Sequence, residues 1–306
     1  MKEFDLIIIG GGPAGLSAAL YGGRMGLRTL LLTELSGGNL NFVSWIENYP
    51  GFERISGAEL ADKLRAHAAK YKVEFKEEKV TNVERKDKKF KVHAGDSSYE
   101  GKAVIFATGT GVRKLGVPGE KEFDGKGVHY CALCDGPIYA GKVIAVVGGS
   151  DSAIKEALLL TQYGSKVYII SRGGKMKCEN CNYGQAASNP KIEMIYETNV
   201  VSIKGDKLVK SVTLDKAHKG KNELPLDAVF IEIGRIAASE LAKGIGVEVN
   251  EKDEIITDKD SKTSIQGVYA AGDVTNSPSK QIITGAADGV RAAFSASRYL
   301  TSGMQK

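Results

Sequence analysis

The chain has 306 residues, 42% of them hydrophobic and 26% charged, with a net charge of +5. That length and balance suit a soluble globular protein of two domains with a large core. The positive charge is spread without a basic block, which excludes a nucleic-acid arm or membrane-surface patch, and the apolar run in MKEFDLIIIGGG is too short for a signal peptide or transmembrane helix. A cytoplasmic location is expected. In that reducing setting the four cysteines, arranged as two CxxC pairs, suit redox or metal chemistry better than structural cross-linking.

Residues 5–34 read as strand DLIII, glycine turn GGGPAG, an Ala- and Leu-rich helix ending near Gly26, and strand LRTLLLTE. Gly10 permits the tight turn, Gly12 lets the backbone approach a pyrophosphate, and Gly15 lets the helix pack on the strand, with Pro13 and Ala14 completing the loop. The helix N-terminus faces the phosphates with free N–H groups. Glu34 ends the next strand, where a carboxylate can accept the hydroxyls of an unsubstituted ribose. The charged stretch 71–102 alternates apolar and polar residues and predicts an antiparallel meander facing water. It leads to AVIFATG at 103–109, an apolar strand closing on glycine.

Residues 142–172 repeat the first unit: KVIAVV, GGSDSA, a helix, then KVYIISR. The interval from Gly148 to Arg172 equals that from Gly10 to Glu34, and AVFIEIG at 228–234 matches AVIFATG. The expected fold is therefore α/β, with two Rossmann-like nucleotide-binding domains of three-layer ββα type, the second inserted into the first. In the second loop, formed by Gly148, Gly149, Ser150, Asp151 and Ser152, a serine stands where the second glycine belongs, while Ala153 is an allowed third position. Arg172 replaces the acid, and Lys175 and Lys177 follow; such cations can grip a 2′-phosphate, so NADPH is favoured over NADH. The competing reading is of solvated cations beside a vestigial site.

A CxxC reacts through a thiolate and closes a disulfide with little chain movement. Asp135, directly after Cys134, can move protons during exchange. The alternative is a zinc site of Cys131, Cys134, Cys178 and Cys181, but the pairs lie about twice as far apart as the usual spacing of roughly 15–20 residues, and no metal is expected.

Residues 107–136, ATGTGVRKLGVPGEKEFDGKGVHYCALCDG, resemble the low-molecular-weight thioredoxin reductases, and GGGPAG, ENYPG at 47–51, ATG at 107–109, CALCD, and GVYAAGD at 267–273 match that family in order and spacing. The resemblance implies a homodimer with a discontinuous FAD domain, residues 1–112 and 237–306, and an inserted nicotinamide domain, 113–236. It implies that FAD is held by the first glycine loop, Glu34, Asn39, Asn48, the Ala107-Thr108-Gly109 segment, Gly272 with Asp273, and Lys280-Gln281-Ile282 at the start of the final helix. It further implies that Cys134 receives electrons from the flavin, Cys131 attacks the disulfide of a thioredoxin- or glutaredoxin-like protein, and Asp135 is the acid/base. In such proteins the inserted domain swivels, and the short tethers near 112–114 and 234–236 are compatible with this.

The family's histidine-arginine-arginine motif becomes Ser171-Arg172-Gly173 here, with Lys177 in place of a further arginine. That opens the donor to reduced deazaflavin or ferredoxin as well as NADPH. A flavin redox sensor or metal-binding scaffold is the non-catalytic alternative. The second pair, in KMKCENCN, falls at the adenosine end of the inserted domain. It is expected to be exposed and partly ionised, and to act as a local disulfide or, less favoured, as a redox gate on the donor site.

Overall fold

The computed structural model describes residues 2–43 and 45–302, with Ser302 described by its backbone alone. The chain divides into two compact units, residues 1–111 with 236–306, and residues 112–235.

The first unit opens with β1 (Lys2–Ile9), whose last four residues are all buried. Ile7 and Ile9 pack on one face of the sheet and Leu6 and Ile8 on the other, so the run is continuously apolar because both faces are covered. Helix α1 (Pro13–Arg24) follows, with Pro13 in its first turn, where no N–H is needed. Then come β2 (Thr29–Thr33), a 3₁₀ turn at Gly38–Phe42, and α2 (Gly57–Ala69), whose Ser56 cap accepts the Glu59 N–H at 3.2 Å. Strands β3 (Val73–Glu77), β4 (Val80–Lys86), β5 (Lys89–Ala94) and β6 (Ser97–Phe106) complete this segment.

The meander expected over 71–102 is only partly such. β4, β5 and the first half of β6 pair antiparallel, but β3 joins the other side of the sheet, parallel to β2. Val73 and Phe75 pack beneath the helices with Leu16 and Leu31, and that burial decides their pairing.

After β7 (Thr110–Val112) the second unit begins with β8 (Val128–His129), α3 (Ala132–Asp135) and a 3₁₀ turn, Gly136–Tyr139. It continues through β9 (Val143–Val147), α4 (Asp151–Leu160), β10 (Lys166–Ile170), α5 (Asn180–Ser188) and β11 (Ile192–Ile195). A meander of β12 (Val200–Gly205), β13 (Val209–His218) and β14 (Lys221–Pro225) precedes β15 (Ala228–Ile231). The parallel sheet runs β11-β10-β9-β15-β8. Its two faces are closed by the antiparallel meander, through Val212, Leu214 and Val229, and by the helices, through Ile154, Leu160 and Ile169.

The chain returns through β16 (Arg235–Ala237), paired with β7, and α6 (Glu240–Gly244). Strand β17 (Val268–Ala270) adds to the second half of β6, giving the order β3-β2-β1-β6 with β17 beside β6, and α7 (Ile282–Ser302) lies on α1. The α1–α7 crossing is built of Ala14, Ala18, Ala292 and Ala296. At Gly289 in this crossing a Cβ would stand 2.0 Å from the Ala14 carbonyl oxygen. Both units are thus the same α/β design, the second inserted into the first.

Candidate functional site

In the first unit the residues singled out for a dinucleotide converge at the carboxyl ends of the parallel strands, where α/β sheets bind ligands. Gly10 follows β1 with φ +112°, and Ala107 follows β6 so closely that a Cβ on Gly10 would meet its carbonyl oxygen at 2.2 Å. Gly15 is as tightly held, its Cβ position being 1.9 Å from the Gly10 oxygen. Gly12 instead faces open space, with nothing within 4 Å. Glu34 stands exposed just beyond β2 and pairs with Lys79 at 3.0 Å. Thr108 Oγ1 donates to the Ala238 carbonyl at 2.6 Å, fixing the Ala107-Thr108-Gly109 turn, while Asn39 Nδ2 donates to Thr110 O at 3.2 Å.

From the far end of the chain, Gly272 and Asp273 form a 3₁₀ turn after β17. Gly272 takes φ +78°, and a Cβ there would lie 2.9 Å from Ala14 Cβ. Lys280 donates to the carbonyls of Asp273 and Thr275 and pairs with Glu254, so its charge ties the turn to the strand region behind it. Gln281 accepts from Asn48 Nδ2 at 3.1 Å, and Ile282 opens α7.

In the second unit a Cβ on Gly148 would collide with the Glu232 carbonyl, and one on Gly149 with Ser171 Oγ. Ser150 caps α4 by its backbone, with no side-chain hydrogen bond, and Ser152 is exposed in the first turn. Asp151 holds the chain's own segment: it accepts from the Glu179 N–H at 3.1 Å and Asn182 Nδ2 at 2.9 Å, and pairs with Lys155. The Lys177 N–H donates to Gly149 O at 2.8 Å. The side chains of Arg172 and Lys177 are exposed.

This wiring sets the CENC pair against the second glycine loop. Cys178 and Cys181 are both free thiols, not the local disulfide that the sequence favours. Cys178 is half-buried against the core under α4, and its thiol is pushed up by burial and by the charges of Asp151 and Cys181. The expectation of a partly ionised pair therefore fails at Cys178. Its basic neighbours in sequence, Lys175 and Lys177, are exposed, and the charge that acts on it is that of Asp151, from another element. Among the described residues no group of three or more His, Cys, Asp or Glu stands where it could hold a metal ion.

Cys131 and Cys134 are joined as a disulfide with Cα atoms 5.4 Å apart. Cys131 caps the single turn of α3, its sulfur accepting the Cys134 N–H at 3.2 Å. Two neighbours of this turn escaped sequence reasoning. Glu156 of α4 accepts the Ala132 N–H at 3.4 Å through Oε1; its Oε2 is shut from solvent without a hydrogen-bond partner. Burial, then the Glu232 charge, pushes the Glu156 carboxyl up to about 8. His129 meets Asp135 through Nδ1 at 3.1 Å and Tyr139 through Nε2 at 2.7 Å. A histidine two positions before a CxxC was the available signal for it.

Residues 4–293 match the model of the pyridine nucleotide-disulphide oxidoreductases. Thioredoxin reductase of Bacillus subtilis (strain 168) is 40% identical over 303 residues, 98% of this chain and 95% of the relative. The crystal structure of Lactococcus lactis thioredoxin reductase matches with a TM-score of 0.93 at 37% identity, covering 98% of this chain and 99% of that one. That of T. acidophilum thioredoxin reductase gives 0.90 at 36%, covering 99% of each.

The chain belongs to the thioredoxin reductase family of pyridine nucleotide-disulphide oxidoreductases. Membership of this reductase family implies use of a flavin. The first glycine loop fits one: the tightly packed Gly10 and Gly15 hold the turn, while the open face at Gly12 leaves room for a diphosphate to reach the backbone. In this reductase the redox turn lies wholly in the second unit and the open glycine loop in the first. No helix among the described residues is long and apolar enough to cross a membrane.

Proposed function

We propose that the protein is an FAD-dependent reductase of the disulfide in a thioredoxin- or glutaredoxin-like protein, working as a cytoplasmic homodimer. The observation that carries this reading is the Cys131–Cys134 disulfide followed directly by Asp135, in a chain whose other unit presents the open loop at Gly12. In this reading residues 1–112 and 237–306 bind FAD, and 113–236 carry the dithiol and the donor site. Gly10, Gly12 and Gly15 cradle the diphosphate and Glu34 the ribose. Asn48 and Gln281, already joined by a hydrogen bond, would also hold the flavin.

When bound, FAD supplies the two-electron reduction that opens the disulfide to a dithiol. The Cys131 thiolate attacks one sulfur of the partner's disulfide, breaking its S–S bond and forming a mixed disulfide. Asp135 takes the Cys134 proton and passes it to the departing sulfur. The Cys134 thiolate then attacks Cys131, restoring the enzyme disulfide; the second partner sulfur leaves as a thiolate and takes from solvent the proton that Cys131 gave up on ionising, so the partner departs as a dithiol.

For the donor we propose NADPH, held by the second glycine loop, with the exposed Arg172 and Lys177 meeting the 2′-phosphate. A second reading, reduced deazaflavin or ferredoxin as donor, is favoured by the hydrogen bond from Lys177 N–H to Gly149 O and by the engagement of Asp151 with residues 179–182, which hold the chain's own segment against the second glycine loop. Anaerobic titration of the flavoprotein with NADPH, NADH and reduced deazaflavin, watching the flavin absorbance, tests both. NADPH should bleach it in preference to NADH, with the preference lost in Arg172→Ala. Bleaching by deazaflavin alone selects the second reading, and a protein that takes up no flavin sinks the proposal.

A further inference from the structure

The His129 ring is 5% exposed and stacks on Phe230 of β15, with centroids 5.3 Å apart. It joins two groups from different elements: Asp135 at the end of α3, 3.1 Å from Nδ1, and Tyr139 at the end of the following 3₁₀ turn, 2.7 Å from Nε2. Asp135 and Tyr139 are partly exposed, so the buried imidazole bridges the redox turn to a phenol on the turn that follows it.

The protons in this chain are interdependent. Burial holds the ring below the usual histidine range against the opposing charges of Asp135 and Asp124. Burial, with Asp135 and Asp227, raises the Tyr139 phenol and keeps its proton on. A neutral imidazole carries one proton. With Asp135 ionised, that proton must sit on Nδ1 and donate to the carboxylate, and the Tyr139 O–H donates to Nε2. With Asp135 protonated the directions reverse: its O–H donates to Nδ1, and Nε2–H donates to the phenol oxygen. One proton entering at Tyr139 Oη interconverts the two states, the phenol proton passing to Nε2 and the Nδ1 proton to Asp135. Both hydrogen bonds exist in either state, so Asp135 can gain or lose its proton without an unpaired buried group.

We propose that His129 is a positioning residue for disulfide reduction, orienting Asp135 through Nδ1 and coupling its protonation to Tyr139 through Nε2. This rests on the reading of Asp135 as acid/base. The test uses dithionite-reduced holoenzyme mixed with oxidised thioredoxin in single turnovers across the pH range around neutrality.

His129→Phe keeps the aromatic stack and removes both hydrogen bonds. It should slow the turnover about tenfold and, because a carboxylate that loses a donor is harder to ionise, move the acid limb of the pH profile to higher pH. His129→Asn, whose amide still donates toward Asp135, should hold the limb near wild type, and Tyr139→Phe should slow the reaction severalfold without moving it. These two variants carry the test if His129→Phe loses its flavin. A wild-type profile in His129→Phe, or slowing equal at every pH, overturns the inference, as does a displaced limb in His129→Asn or a wild-type rate in Tyr139→Phe. Asp135→Asn separates the two ideas: a wild-type rate there sinks the acid/base assignment itself, whereas a loss there beside an unaffected His129→Phe sinks the role of His129 alone.

Discussion

The Cβ position of Gly15 lies 1.9 Å from the carbonyl oxygen of Gly10, so α1 can leave β1 only because residue 15 has no side chain. Gly12, in the same loop, faces open space with extended backbone at φ −75°. The two glycines therefore separate folding from ligand approach. Gly15→Ala should cost about 1–3 kcal/mol of stability through overpacking. Gly12→Ala should cost under about 1 kcal/mol, as an alanine cap, yet lose the flavin because its methyl occupies the diphosphate approach. Thermal unfolding and flavin absorbance measure the two. Wild-type flavin content in Gly12→Ala would place the diphosphate elsewhere.

Much of this arrangement was legible in the sequence because it is local. GGGPAG and GGSDSA sit between apolar strands and helices at the same interval, and that fixed the paired α/β units and the insertion. What failed depended on distant partners. Val73–Glu77 alternates like a meander strand, and only the covering by helices makes it a parallel neighbour of β2. Cys178 looked activated by adjacent lysines, but the charge that acts on it is that of Asp151, brought over by the fold. The His129–Tyr139 contact joins residues on either side of the redox turn, and no periodicity announces it.

Glu156 gives the second unit a pH signature. Its carboxyl is raised from 4.5 to about 8 by burial and Glu232, and Glu232 is raised as well. A raised acid keeps its proton in the folded state, so stability is fully present below 4.5 and falls as pH rises toward about 8, the unfolded chain releasing protons that the folded chain retains. Glu156→Gln should flatten that fall, leaving the variant more stable than wild type near pH 8 and no more stable near 4.5. Urea unfolding at a series of pH values checks this; parallel curves for the two proteins would contradict it.

The second thiol pair lies against the glycine loop of its own unit and forms no disulfide, and we expect it to be peripheral to the exchange at Cys131–Cys134. Cys178→Ser with Cys181→Ser should leave thioredoxin reduction within about tenfold of wild type when the flavin is reduced chemically, a change below roughly 1.4 kcal/mol. A larger loss at unchanged flavin content would mean that electrons pass through CENC.

The most direct test of the whole account is thioredoxin reduction by Cys131→Ser and Cys134→Ser, each prepared with flavin bound. Each substitution removes half of the exchange couple while leaving the first unit untouched. The account predicts that both variants stay yellow and reduce no thioredoxin; turnover near wild type in either would contradict it.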